Sequence, residues 1–346
     1  MPAGRRRGRD LVNQGLKVAC LLLTLVLSGC YVTRQAWYQG KLLSSRRDVK
    51  EAISDDSTPP AVRQRLEELG KILDFAKACG LRPGDSYQRY IDNGDKPVSW
   101  LVHAAPPDKL ESVTWWFPFT GRVPYLGFFS RAERDEEERA LKAQGYDTAR
   151  GSVTAFSMLG FFPDPVYRSM TRRSRDEFAQ LVFHELVHRT VWIKGSANFN
   201  ERLAEVFSRR VTLAWLKSIG DEKASSDFLA MIEDRKKFGQ WLGALRIALT
   251  KVYSSGMPRE EILREKALVF AEFTGDRSPS FKSGELIKGR DWNNAEVMAA
   301  GLYDGDEFEC PPRPITPDEA RTFMEWLVAN KDSGIATDET LSKACL

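Results

Sequence analysis

Residues 174–188 read SRDEFAQLVFHELVH. Ser174 stands three residues before Glu177, the capping-box spacing that satisfies the free N–H groups of a first helical turn, so a helix is predicted from Arg175. The apolar segment that follows runs to Ile193. On this helix His184 and His188 are four residues apart, hence one turn apart on one face, where two imidazoles can chelate a single metal ion. Glu185 is rotated about 100° from His184 and cannot easily join that chelate. It is placed instead to take a proton from a water activated by the metal. The whole chain has only three histidines. Two of them at this spacing speak for a site rather than for a helix with two core histidines.

Working outward, a zinc site of this kind needs a third ligand. Lys194-Gly195-Ser196-Ala197 reads as a short turn, with Gly195 a natural helix stop. A second helix then carries Asn200-Glu201-Arg202-Leu203-Ala204-Glu205 and extends to Gly220. If the two helices form an antiparallel hairpin, Glu201 comes level with His188 and Glu205 with His184. Glu201 is therefore the expected third ligand of one zinc ion. Glu205 has two readings: it orients a histidine through the other ring nitrogen, or it pairs with Arg202, Arg209 or another cation. Asn200 is expected to help position the ligands.

Around this hairpin the texture varies. Residues 31–95 read as helical, with Val62, Leu66, Leu69, Ile72, Leu73 and Ala76 marking one amphipathic helix. From 97 to 165 short apolar runs rich in β-branched and aromatic residues give the strand candidates Val98–Val102, Ser112–Phe117 and Val153–Ser157. Between them Arg131–Gln144 reads as a solvated helix. After 174 the chain is mostly helical, with Phe228–Tyr253, Arg259–Phe273 and Pro317–Ala329 as further helices. The run Glu233-Asp234-Arg235-Lys236-Lys237 reads as a solvated face. The expected fold is a predominantly helical α+β unit with a small mixed sheet, in which residues 30–95 pack with residues 96–346.

The N-terminus has a different purpose. Arg5, Arg6, Arg7, Arg9 and Lys17 precede an apolar run of about ten residues from Val18 to Leu27, too short to cross a bilayer as a mature helix. Leu27-Ser28-Gly29-Cys30 follows and looks like a bacterial lipobox. Residues 1–29 are accordingly expected to be a signal, removed so that Cys30 carries the lipid; the alternative is an ordinary anchor helix. Tyr31, by resemblance to bacterial lipoproteins, favours the outer membrane, and the periplasm is the expected compartment. The chain carries 51 Lys and Arg against 48 Asp and Glu, a net +3. Residues 1–29 hold five of those cations and one anion, so the remainder has a net charge of −1 and no bias toward nucleic acid. Of the five cysteines, Cys79, Cys310 and Cys345 remain after Cys20 and Cys30, with Cys310 and Cys345 the preferred pair in an oxidising compartment.

Several segments carry a resemblance as well as a pattern: Leu81-Arg-Pro-Gly-Asp-Ser-Tyr87, Phe117-Pro-Phe-Thr-Gly121, Pro124-Tyr-Leu-Gly-Phe-Phe129, Gly145-Tyr146-Asp147, Ser157-Met-Leu-Gly-Phe-Phe162 and Trp292-Asn293-Asn294-Ala295. Together with the two motif helices they make the chain resemble the bacterial lipoprotein family described as predicted zinc aminopeptidases, with the H-E-x-x-H and Asn-Glu helices of gluzincin metallopeptidases. The resemblance implies a zincin-like catalytic unit that hydrolyses peptides. Only the metal motif has a mechanism attached. Twelve residues separate His188 from Glu201, fewer than in better-known gluzincins, so substrate-side loops do not carry over. No G-x-M-E-N loop occurs, and the "amino" specificity is inherited from the family alone.

An oxyanion donor is also required. In resembling proteins a tyrosine recurs after the Asn-Asn-Ala segment, which points to Tyr303, with Tyr125 as competitor and His103 read as a packed or rim residue. The strand ending near Ser157 could offer an edge to an extended peptide, as in zincins. Two rivals to an aminopeptidase stay open: a non-catalytic, metal-stabilised envelope lipoprotein acting as a binding module, and an endopeptidase of the same class. A peptide is the one partner besides the membrane, and no protein partner is inferred.

Overall fold

The computed structural model describes residues 37, 38, 40–117, 121–153, 163–275, 277–282, 287, 289–301 and 310–345. The expected signal (residues 1–29) with its lipobox-like segment, Cys30, most of the strand candidate at 153–157 and Tyr303 lie outside them. The chain divides into residues 1–46 and 47–346; in the first, 37–38 and 40–44 are helical.

In the second unit, Arg47–Asp48 (β1) leads directly into Val49–Ser54 (α1), which Asp48 and Glu51 start with a capping box. Pro60–Ala78 (α2) begins with proline in its first turn, where the missing N–H costs nothing. It buries Val62, Leu66, Leu69, Ile72 and Ala76, the amphipathic face read from the sequence. The stretch 31–95 is not all helix, however. Arg89–Ile91 (β2) is a strand, and its Tyr90 and Ile91 are fully buried. Aromatic and β-branched residues suit a pleated buried surface, but three residues are too few to show alternation.

The next region opens with Ser99–Ala105 (β3), followed by Trp115–Phe117 (β4), Gly121–Val123 (β5) and Leu126–Phe128 (β6). Arg131–Ala143 (α3) and Asp147–Val153 (β7) follow, then Val166–Tyr167 (β8) and a 3-10 turn at Arg168–Arg172. Strand β3 is the centre of an antiparallel sheet ordered β6-β3-β7, pairing Ser99 with Val153 and Ala105 with Asp147 along β7. A second sheet, β1-β2-β8, is mixed, with β2 parallel to β8 and antiparallel to β1. β4 and β5 form an antiparallel pair. Helix α3 is less solvated than its composition suggests: Glu138 is buried and binds Thr148 and Arg150 of β7.

The remainder is helical. Arg175–Thr190 (α4) is started by the predicted capping box of Ser174 and Glu177, and Ala197–Ser218 (α5) follows the turn at Gly195, whose φ of 79° suits glycine. Then come Glu222–Tyr253 (α6), Arg259–Thr274 (α7), Asn294–Gly301 (α8), Pro317–Asn330 (α9) and Asp338–Cys345 (α10). Trp241, Leu242, Leu245 and Leu249 of α6 pack with Phe270, Phe273, Trp292 and Val297 to form one core. The Trp-Asn-Asn-Ala segment is a structural joint. Asn294 accepts from the Tyr253 hydroxyl at 2.6 Å and donates to the carbonyls of Pro106 and Lys109, while Ala295 packs against Ala105 and Ala149 of the antiparallel sheet. The fold is thus a mostly helical α+β unit with small mixed and antiparallel sheets. Cys310 and Cys345 form a disulfide with Cα atoms 5.4 Å apart, and Cys79 is a buried free thiol.

Candidate metal centre

Helices α4 and α5 run antiparallel, so residues of α4 meet partners of α5 in reverse order. The turn between them is fixed by Asn200, which is 1% exposed. Its carboxamide accepts from the Ile193 N–H at 3.0 Å and donates to the Ile193 carbonyl at 2.8 Å. The neighbouring residue is Glu201. The register that follows brings Glu201 to both histidines and Glu205 to His184 alone.

The Nε2 atoms of His184 and His188 are 3.1 Å apart. Glu201 places Oε2 at 3.4 Å from Nε2 of His184 and Oε1 at 3.4 Å from Nε2 of His188. A tetrahedral shell with bonds of about 2.0–2.1 Å has edges of about 3.3 Å, and all three separations match it. Two imidazoles and one carboxylate also form the donor set of an open catalytic site, three protein ligands with a fourth position left for water or substrate. Among the described residues this is the group of His, Cys, Asp and Glu able to hold a metal ion.

Glu205 touches both kinds of partner named for it, a histidine and cations. Its Oε2 lies 3.5 Å from Nδ1 of His184, the ring nitrogen turned away from the cluster. Its Oε1 accepts from Arg209 at 2.8 Å, from Gln180 at 3.1 Å and from Arg235 at 3.4 Å. Arg202 turns elsewhere, to Asp338 at 3.1 Å. Burial works against a charge on His184, yet its contacts with Glu201 and Glu205 outweigh that and raise its pKa to about 10 in the metal-free protein. The His184 and then the His188 contact hold the Glu201 carboxyl well below the ordinary range. Burial would raise Glu205, but the His184 contact and Arg209 hold it low, at about 2.

Glu185 is half-buried, and its Oε2 is enclosed with no hydrogen-bond partner. His188 likewise has an unpartnered Nδ1, with its ring edge-on to Trp192 at 5.4 Å. His103 is buried in β3, its ring 5.7 Å from that of Tyr125, and burial lowers its pKa.

Two participants escaped the sequence reading. Gln180 sits one turn before His184 on the same face, a signal that was available. Arg235 belongs to the run read as a solvated face, and that run is corrected here: Asp234 is fully buried and accepts from the Lys282 N–H at 2.7 Å. The sign was present, since Asp234 lies seven and eight residues before the buried Trp241 and Leu242 and so shares their helix face.

Residues 30–310 match the model of a protein family described as "putative aminopeptidase". No curated protein and no solved structure matches the chain.

Proposed function

The chain belongs to the putative aminopeptidase family, and from that premise we propose that it is a zinc-dependent peptidase of zincin-like arrangement. The observation that carries this is the convergence of His184, His188 and Glu201 at tetrahedral-edge distances, with the unpartnered Oε2 of Glu185 on the same helix turn. A zinc ion held by these three side chains supplies Lewis acidity, polarising a peptide carbonyl and acidifying a water. Glu185 takes the proton from the attacking water and returns it to the leaving amine. Glu205 accepts from Nδ1–H of His184, which presents Nε2 to the metal and fixes the ring's orientation. Asn200 holds the turn that keeps Glu201 at the height of both imidazoles. Tyr303 is proposed as the donor to the developing oxyanion.

Glu185→Gln tests the assignment. The variant is expected to bind zinc as the wild type does and to lose peptide hydrolysis by about 100-fold or more. Full turnover in that variant would refute the role of Glu185, and stoichiometric zinc without turnover in the wild type would favour a binding module. Comparing free with N-acetylated peptides separates an aminopeptidase, which loses its acetylated substrates, from an endopeptidase.

The protein is further proposed to be held at the periplasmic face of the outer membrane through acylated Cys30. This placement rests on the sequence alone: the basic residues, the short apolar run from Val18 to Leu27 and the Leu27-Ser28-Gly29-Cys30 segment that follows it. Cys30→Ser is expected to release the protein from the membrane fraction.

A further inference from the structure

Helix α4 ends at Thr190, and the three residues after it, Val191-Trp192-Ile193, are all apolar. Val191 has φ −142° and ψ 129°, so the chain leaves the helix extended and successive side chains point to opposite faces. Val191 and Ile193 turn inward, at 2% and 6% exposed, while Trp192 between them is left 42% exposed. Asn200 grips both backbone groups of Ile193. The clamp that sets the height of Glu201 therefore also sets the direction of Trp192.

The indole thereby reaches the metal group. It meets the His188 ring edge-on, with ring centroids 5.4 Å apart. The group is open to solvent, since the Glu201 side chain, 3.4 Å from His188, is 60% exposed. An extended peptide advances about 3.3–3.6 Å per residue. The indole thus stands within about two residue steps of the donor atoms on which the three ligands converge. Small-molecule and peptide sites are lined by aromatic surface with a few convergent polar groups, and here a half-exposed tryptophan adjoins such a group.

We propose that Trp192 determines specificity: its exposed face is the wall of a subsite for a large apolar side chain, aromatic or branched aliphatic, on a residue flanking the scissile bond. Such a side chain gains burial and ring contact there. Glycine or alanine leaves the indole in water, and a charged side chain loses hydration without gaining a partner. This rests on the peptidase reading, because it takes the neighbour of His188 to be the neighbour of a bound peptide.

The test uses short alanine-based peptides in which Phe, Leu, Lys or Ala stands at each position in turn. Their binding to the full-length, zinc-loaded Glu185→Gln protein, which leaves them uncleaved, is measured by calorimetry. Phe or Leu at one position is expected to bind about 10-fold tighter than Ala. Adding Trp192→Ala should abolish that preference while leaving the all-alanine peptide's binding and the zinc affinity unchanged, and Trp192→Phe should keep part of the preference. A preference that survives Trp192→Ala overturns the inference. So does a loss of zinc affinity with the preference intact, which would make the indole only a brace for His188. Wild-type turnover distinguishes the two readings. Equal kcat/KM for Phe, Leu and Ala at every position sinks the subsite and leaves the peptidase standing, whereas a protein that neither binds nor cleaves any of these peptides sinks the peptidase reading and the subsite with it.

Discussion

His184 lies between two carboxylates that act on different ring nitrogens, Glu201 at Nε2 and Glu205 at Nδ1. Without a metal ion, these contacts overcome burial and keep the imidazole charged up to a pH of about 10. Ligation requires the neutral ring, so zinc uptake must expel a proton. Calorimetric titration with zinc in buffers of different ionisation enthalpy, near pH 8, is expected to show release of about one proton per ion from this ring; zero release would contradict the charged state. The same group has a sign for stability. Its folded pKa lies above the unfolded value of about 6.5, so its stabilising contribution to the metal-free protein is complete below that pH. It is lost as pH rises through about 10, on the alkaline side and not the acid one. Glu205→Gln keeps the shape and removes the charge from the Nδ1 side. Zinc affinity, measured by competition with a chromogenic chelator, should fall about 10- to 100-fold.

At the scale of elements, the centre depends on one turn between two helices. Asn200 satisfies both backbone groups of Ile193 in a buried setting. Asn200→Ala leaves that N–H and carbonyl unpaired, at about 1–3 kcal/mol for each, and frees Glu201 to drift from the imidazoles. Urea unfolding should register the loss, and zinc affinity should fall with it. This hairpin was legible in the sequence because every signal in it is local: the Ser174–Glu177 capping box, the four-residue histidine spacing, Gly195 as a stop, and the register that follows. The amphipathic face of α2 and the strand core at β3 were legible for the same reason. The β1-β2-β8 sheet was not, since strands of two or three residues carry no periodicity and are defined only by partners far along the chain. Nor was Arg235 on Glu205, because a long side chain arriving from a third helix follows from packing and not from spacing. Tyr87 lay in a segment that could be recognised but not given a task, and its left-handed backbone (φ 64°) is visible only in three dimensions.

In the whole molecule, the ligand helix α5 is braced from behind by the C-terminus. Arg210, buried on α5, donates to the carbonyls of Arg313 and Ala344, and Arg313 donates to the Cys345 carbonyl. The Cys310–Cys345 disulfide closes a loop with a sequence separation of 35 around these contacts, and α10 packs inside it against α5. Loop-closure entropy gives a bridge of that span about 4 kcal/mol through the unfolded chain. Its removal therefore acts on the element that carries Glu201 and Glu205, even though neither cysteine approaches the metal group. The Cys310→Ser, Cys345→Ser double variant should unfold at a lower urea concentration than the wild type, and adding a reductant should lower the wild type to the same midpoint while leaving the variant where it is. Zinc should bind the folded variant with at most a modest loss of affinity, because the ligands are set by the α4–α5 turn. If the bridge instead shaped the centre directly, affinity would collapse under conditions where far-ultraviolet circular dichroism still shows the helices intact, and that pattern would place the control of Glu201 in the C-terminal brace instead of in Asn200.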